Sequence, residues 1–432
     1  MTHAPLVLTP QHFGALVFER ATSRYLPFDQ PATALLTALA ERSLPELLAT
    51  LDADDAATAQ RFYAAFEPRG FFTVDQRFAG EIRVVRVPEH HLVGPLAVHL
   101  EVAGACNLSC SHCFASPLPR HREPLTLDEL GGLFAELSSL GSFRLGLTGG
   151  EPLLRRELLQ IIDRATAHGL HPCLTTNGLL LDERWAKELG ARELVWLNVS
   201  LDGASAATND AVRGKGTFDA VVEKLRVLGK HLRFTLAFTV MRHNAGETEA
   251  FAALARELGA HTVVFRALYP VGAAKNRPEL MPEFDQYSQS LLKLSNAGGS
   301  VRGIDPFSPQ ARAQTGALVQ GNYGCGAGNT IATISVRGEM NPCSFLGSKY
   351  DAANVRQQSF TEIWNHSAGF QAMRALSKTK EPGRFAGGCR ARALQANGDI
   401  DAPDPWQQEW EGQRDQTLPP SFTLPVLGGN VS

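Results

Sequence analysis

The sequence predicts an α/β protein built from βα units around a parallel sheet, with a small domain in front and a cysteine-bearing extension behind. Three observations predict it. Apolar, strand-like runs at 97–103, 143–148, 171–176, 194–201, 233–240 and 262–268 alternate with helical patterns such as 127–140 and 246–259. Cys106, Cys110 and Cys113 follow the first run, and Gly149-Gly150-Glu151-Pro152 follows the second, so chemistry gathers at one rim of the sheet. Residues 1–80 and the C-terminal third break this rhythm and read as separate units.

In chain order, Gly14–Glu19 and Arg24–Phe28 flank a short polar turn and predict a hairpin. Helical patterns follow at about 30–42, 44–52 and 55–67, then the short run Gly70–Val74. Residues 81–96, with Pro88 and Pro95, read as a linker. The sheet unit is expected over 97–300 and the extension over 301–432.

Composition excludes several classes. The 432 residues carry 41 Lys plus Arg against 44 Asp plus Glu, a net charge of −3 that argues against a nucleic-acid binder. No run approaches the ~18 apolar residues of a membrane span. The start has no basic region followed by an apolar core, so no signal peptide is expected and a cytoplasmic location is. Seven cysteines in such a chain point to thiolates used for metal or catalysis rather than to disulfides.

Cys106, Cys110 and Cys113 lie within eight residues. Three thiolates so close repel one another unless a soft cation shares their charge. Two readings remain open from spacing alone. One is a structural zinc, with His112 as fourth ligand. The other is an iron–sulfur cube with one iron left for an outside ligand. Gly149 and Gly150 allow close backbone approach, and Glu151 can accept from an ammonium; a plain turn explains the bend but not the carboxylate. Ser200 and Asp202 end the fourth run, and Arg213 in the next loop suits a carboxylate clamp, against loop caps or surface pairs as the plainer roles. Asn177 and Asn244 read as turn chemistry, and Cys173 as a small buried hydrophobe.

The C-x3-C-x2-C loop, with His112 where an aromatic precedes the last cysteine, resembles the cluster loop of the radical S-adenosylmethionine (SAM) superfamily. Leu147–Pro152, Leu174–Gly178, Asn198–Gly203 and Asp210–Phe218 resemble further elements of that family in order, so the likeness runs from about Leu96 to Trp406. It implies a partial (β/α)6 TIM-type barrel. It also implies a [4Fe–4S] cluster on Cys106, Cys110 and Cys113 that binds SAM, with Gly149, Gly150, Glu151, Ser200, Asp202, Arg213 and His112 holding SAM.

Cys325, Cys343 and Cys389, in Cys325-Gly-Ala-Gly-Asn, Asn341-Pro-Cys343 and Gly388-Cys389-Arg390, resemble a SPASM/twitch extension. That implies an auxiliary iron–sulfur cluster, expected as [4Fe–4S], with three thiolates and either an open iron or a non-cysteine fourth ligand. The thiolate positions of a second auxiliary cluster fall on Leu376, Thr379, Phe385 and Gln407, so that cluster is not expected.

Hairpin plus helices resembles the PqqD-like winged-helix domain, a recognition element for leader peptides of ribosomally made precursors (RiPPs), bound by adding a strand to the sheet edge. The whole is similar to peptide maturases of the PQQ-cyclase and mycofactocin-maturase type. The implied partners are a precursor peptide with its leader and a reductant such as ferredoxin or flavodoxin. A small-molecule substrate such as a tetrapyrrole or sugar, and a non-catalytic peptide-binding scaffold, are the competing readings.

Overall fold

The computed structural model describes residues 3–115, 123–296, 301–303, 325–376, 388–407 and 409. Of the expected second-auxiliary positions, Thr379 and Phe385 lie outside the described residues.

The front unit holds three antiparallel strands, β1 (Leu6–Gln11), β2 (Gly14–Glu19) and β3 (Arg24–Asp29), in the order β3-β2-β1. Helices α1 (Gln30–Glu41), α2 (Leu44–Leu48) and α3 (Ala53–Phe66) follow, each opened by a side-chain cap from Asp29, Ser43 or Asp52. The expected hairpin is β2–β3, and β1 is an additional strand. Gly70–Val74 forms no strand and makes a single bridge, Phe72 to Phe78. A two-residue strand β4 (Glu81–Ile82) pairs parallel with β1.

All six residues of β2 are buried because this sheet is covered on both faces. Leu6, Leu8, Ala15 and Val17 pack against the helices, while Val7, Leu16 and Phe18 join the core of the large sheet, as period-2 alternation requires. Phe18 meets Phe143 at 4.7 Å between ring centres. The Tyr25 hydroxyl donates to the Gly141 carbonyl (2.9 Å) and accepts from Phe143 N–H (2.7 Å), and burial pushes it up to about 12. Arg20 Nη1 donates to the Gly169 carbonyl at 2.6 Å. The front unit is thereby seated on the N-terminal ends of the large sheet's strands. The segment expected as a linker is packed too: Leu92 and Val93 are buried, and Val93 N–H donates to Gln11 Oε1 (3.0 Å).

The large sheet has six parallel strands in sequential order: β5 (Ala97–Ala103), β6 (Arg144–Gly149), β7 (His171–Thr176), β8 (Trp196–Ser200), β9 (Thr235–Val240) and β10 (Thr262–Ala267). Helices α4 (Leu127–Ser139), α5 (Leu158–Ala167), α6 (Glu183–Gly190), α7 (Ala206–Arg213), α8 (Thr217–Leu228) and α9 (Thr248–Glu257) connect them. This is the partial (β/α)6 barrel, its strand bounds within two residues of expectation. Val98, Leu100 and Val102 face the helices and are buried, whereas His99 and Glu101 face inward.

The sheet runs past residue 300. After α10 (Phe284–Asn296), β11 (Val301–Gly303) pairs parallel with β10. At the other edge β12 (Ile331–Ile334) pairs parallel with β5, and β13 (Glu339–Asn341) and β14 (Ala353–Asn354) continue antiparallel. Helices α11 (Phe360–His366), α12 (Ala368–Leu376) and α13 (Arg390–Asn397) complete the extension, and Trp364 Nε1 ties it to Leu92 O at 2.9 Å. No described helix is long and apolar enough to cross a membrane.

Candidate active site

The C-terminal ends of the barrel strands surround one cavity. Its walls include Cys106, Cys110, His112 and Cys113 from the loop after β5, Gly149 and Gly150 at the end of β6, Asn177 after β7, Ser200 from β8, Arg213 from α7, Thr239 from β9, Arg266 from β10 and Tyr269 just after it. Eight of the expected first-site residues therefore stand on one wall system: the three cysteines, His112, the two glycines, Ser200 and Arg213. Glu151 and Asp202 are fully buried just behind it.

The loop's path is fixed by backbone contacts. Gly150 N–H donates to Ala103 O (2.6 Å) and Glu151 N–H to Ala105 O (2.8 Å). Gly149 sits at φ +121°, and a Cβ there would stand 2.3 Å from Ala103 O; at Gly150 it would stand 2.2 Å from Ala105 O. The glycines thus let β6 press against the start of the cysteine loop. From the opposite side Ala273 N–H donates to Cys113 O at 2.8 Å.

Behind the wall, Asp202 organises the charges. Its Oδ2 accepts from Arg213 Nε (2.6 Å) and His112 Nε2 (3.0 Å), and Oδ1 accepts from Thr239 N–H (2.7 Å). Burial alone would raise the Asp202 carboxyl, but Arg213 and His112 outweigh it and hold it far below the ordinary range. Asp202 is thus a positioning residue that aims Arg213 and His112. The carboxylate only accepts, so His112 Nε2 carries a proton, and Nδ1 is buried without a partner among the described residues.

Glu151 is held by three donors: Thr176 Oγ1 (2.7 Å) and Leu153 N–H (3.0 Å) on Oε1, and Asn177 N–H (2.8 Å) on Oε2. Burial still outweighs them and raises its carboxyl. A carboxylate offers about four acceptor positions, so one remains. Asn244, fully buried, closes its own turn and donates to Asp202 O (3.0 Å), as turn chemistry predicts. Asn177 stands closer to the site than its sequence context shows. Its Nδ2 donates to Asn107 Oδ1 (2.7 Å) and approaches Cys106 Sγ (3.8 Å).

Burial pushes the Cys110 thiol up to about 11; Arg213 opposes this, while Cys113, Asp202 and Cys106 add to it. Three thiolates in such a place need a cationic group among them, which is the donor chemistry of an iron–sulfur cluster. No three described His, Cys, Asp or Glu side chains converge as ligands of a single metal ion, and His112 Nε2 is engaged by Asp202. Thiolates round a four-iron cube stand farther apart than ligands of one ion, so the cube fits the residues better.

The extension brings Cys325, Cys343 and Cys389 together. Burial raises Cys343 most, with Cys325 and Cys389 adding to it. Burial likewise pushes Cys389 up to about 12 against the pull of Arg392. Cys173, partly buried in β7, has Arg144 and Trp196 as its electrostatic neighbours, and burial raises its thiol. Asp404 accepts from Cys389 N–H (2.6 Å) and pairs with Arg392 (3.1 Å), so the Asp-Pro-Trp segment now braces the third thiol. Phe345 stacks on Tyr269 at 4.2 Å and meets Phe114 edge-on at 5.5 Å, an aromatic partition between the two cysteine sets.

Sequence reasoning missed Arg266 and Tyr269. A lone arginine at the end of the apolar run Thr262–Ala267 was the available signal.

With this geometry in place, known proteins are informative. Residues 100–255 match the model of the Radical SAM superfamily, and residues 325–390 match an iron–sulfur cluster-binding domain, SPASM. Mycofactocin maturase of Mycolicibacterium smegmatis is 32% identical over 335 residues, spanning 75% of this chain and 85% of that protein. The AdoMet-dependent heme synthase of Methanosarcina barkeri is 32% identical over 336 residues, spanning 72% and 96%. Streptococcus suis SuiB, in a crystal structure bound to its precursor peptide SuiA, shares the fold at TM-score 0.69 and 13% identity over 93% of this chain and 98% of that one.

Proposed function

Because the chain belongs to the radical SAM superfamily, and so is a SAM-dependent enzyme with a SAM-binding [4Fe–4S] cluster and an auxiliary iron–sulfur cluster, we propose that it is a maturase of a ribosomally made precursor peptide. When bound, the first cluster supplies the electron that splits the SAM sulfonium into methionine and the carbon radical that takes a hydrogen atom from substrate. The chain's own residues position and shield this chemistry. Cys106, Cys110 and Cys113 hold the first cluster, and Cys325, Cys343 and Cys389 the second. Glu151 uses its remaining acceptor position for the methionyl ammonium. Arg213, whose Nε is spent on Asp202, offers its terminal nitrogens beside Cys110 to the methionyl carboxylate. His112 presents its orphaned nitrogen to the same ligand, and Ser200 borders it from β8. Gly149 and Gly150 hold the loop that carries the thiolates.

The observation that carries the peptide reading is the edge of β3. It is the last strand of the front sheet, with no neighbour on its outer side among the described residues. Barrel chemistry has no need of such a domain. Three antiparallel strands followed by three helices suit a PqqD-like recognition element, with the leader adding a strand along Arg24–Asp29. A reductant such as ferredoxin or flavodoxin completes the partner set. The heme synthase similarity favours a tetrapyrrole-type substrate as the second reading.

One experiment separates them. The full chain, reconstituted anaerobically, is incubated with SAM, reductant and synthetic copies of whatever short peptides the neighbouring open reading frames encode, and read by mass spectrometry; hydrogen exchange is followed over Arg24–Asp29. A mass change in the peptide with protection of β3 supports the maturase. An unmodified peptide alongside a modified tetrapyrrole sinks it.

A further inference from the structure

The cavity holds two guanidinium groups, and among the described residues only one is paired directly with a carboxylate. Arg213 is paired with Asp202 at 2.6 Å and feels Cys110 and Cys113, so it belongs to the cysteine end. Arg266 ends β10 on the opposite wall, next to Tyr269, and is half-buried. Its guanidinium makes no hydrogen bond and no ion pair among the described residues. Its electrostatic neighbours are Tyr269, Asp202, Arg213 and, below it in the barrel, His99; none of the cysteines of the loop after β5 is among them.

This is an uncomfortable place for a permanent cation. Burial pulls the Arg266 guanidinium downward, and Arg213 repels it. The Asp202 charge is already engaged by Arg213, His112 and a backbone N–H. Burying a charge is costly unless it is paired and hydrogen-bonded, and a planar guanidinium is best paired by a carboxylate. None of the described residues supplies one at Arg266, which leaves the position to a partner from outside. The methionyl carboxylate of SAM has a cation at the cysteine end in Arg213. A second anion subsite is therefore left on the Tyr269 side of the cavity.

We propose that Arg266 binds a carboxylate of the substrate, either a peptide C-terminus or an Asp or Glu side chain, and so fixes which residue lies next to the SAM site. The subsite deepens the peptide reading and rests on it.

The test uses the full-length reconstituted protein as wild type, Arg266→Gln and Arg266→Lys, with the peptide substrate identified by the incubation above made in three forms: free acid, C-terminal amide, and Asp/Glu replaced by Asn/Gln. Iron content and thermal melting establish that each variant is folded and loaded. Arg266→Gln is expected to weaken the free-acid peptide at least tenfold and Arg266→Lys less, with SAM affinity held within about twofold. One neutralised peptide should lose the same factor on the wild type and nothing further on Arg266→Gln, since the pair is then already broken. Which form does so tells C-terminus from side chain. Additive losses, or wild-type peptide affinity in Arg266→Gln, overturn the proposal, as does a tenfold loss of SAM affinity, which would give Arg266 to the methionyl carboxylate. If the wild type neither binds nor modifies any peptide form, the peptide reading fails first and takes the subsite with it.

Discussion

At Asp202 one carboxylate takes three hydrogen bonds with no exposure to solvent, so its removal reaches two side chains that line the cavity. Asp202→Asn leaves Arg213 with a buried charge and His112 without its acceptor. Breaking a buried pair from one side costs about 3–5 kcal/mol. A clear fall in melting temperature is expected, with SAM affinity down at least tenfold and the cysteines still able to assemble iron; unchanged SAM binding would take Asp202 out of the positioning role. The pH sign follows from its depressed carboxyl. The stabilisation is complete above the ordinary Asp value near 3.8 and is lost only as pH falls through the lower folded value. Asp202 therefore adds no pH dependence to SAM binding between pH 5 and 8. Glu151→Gln removes a charge but keeps an acceptor. It should weaken SAM by roughly 1.5–3 kcal/mol, about ten- to a hundredfold, with iron content retained. Equal affinity by calorimetry would remove Glu151 from the ammonium contact.

Strand β5 makes a similar argument one level up, because it borders both the barrel interior and the extension. Glu101 faces Asp351 and Glu339 across the junction with β12 and β13; burial is the main cause that raises its carboxyl to about 7. A carboxyl raised in the folded state binds its proton there before the unfolded chain does, so stability grows as pH falls from about 7 towards 4.5 and is lower above 7. Glu101→Gln should be more stable than wild type above pH 7, by on the order of 3 kcal/mol at most, and the two should converge near pH 4.5. Parallel melting curves at all pH values would show that this junction does not hold the charge.

The barrel strands were legible because each combines an apolar run with turn signals, and the cysteine loop because spacing alone brings its thiols together. Strand β1, interrupted by Pro10, was not, and neither were the two- to four-residue strands β11 to β14, which exist only by pairing with β10, β5 or one another. The contact of His112 with Asp202, ninety residues apart in sequence, and the solitary charge of Arg266 have no local pattern. They arise when the sheet brings strand ends to one rim.

For the whole molecule, the two cysteine sets predict an iron count. About eight irons per chain are expected after reconstitution, from two four-iron clusters. Replacing Cys106, Cys110 and Cys113 together with Ala should leave about half and stop SAM cleavage; Cys343→Ala should lose the other share. About four irons in the wild type, all lost with the first three cysteines, would make the second set packing only.

Front sheet and cavity also lie at opposite ends of the barrel. The front unit meets the strand beginnings at Gly141, Phe143 and Gly169, and the cavity is lined by the strand ends at Gly149, Ser200 and Arg266. Six-residue strands such as β6 and β7 rise about 3.3 Å per residue, so the two stations are about 20 Å apart at least. A leader paired on β3 must send its downstream chain along the outside of the barrel to the rim. An extended chain covers at most ~3.3–3.6 Å per residue, so about six residues is the shortest connection, and a path around the helices needs more. In a series of precursors with shortened spacers, leader affinity should stay constant while modification collapses below that length. Lengthening should cost little, since each doubling of a flexible loop adds only about 0.6 kcal/mol. Binding measured by anisotropy and modification measured by mass on the same peptides give both curves. Full modification of a precursor whose target directly follows the leader would mean that the leader does not sit on β3.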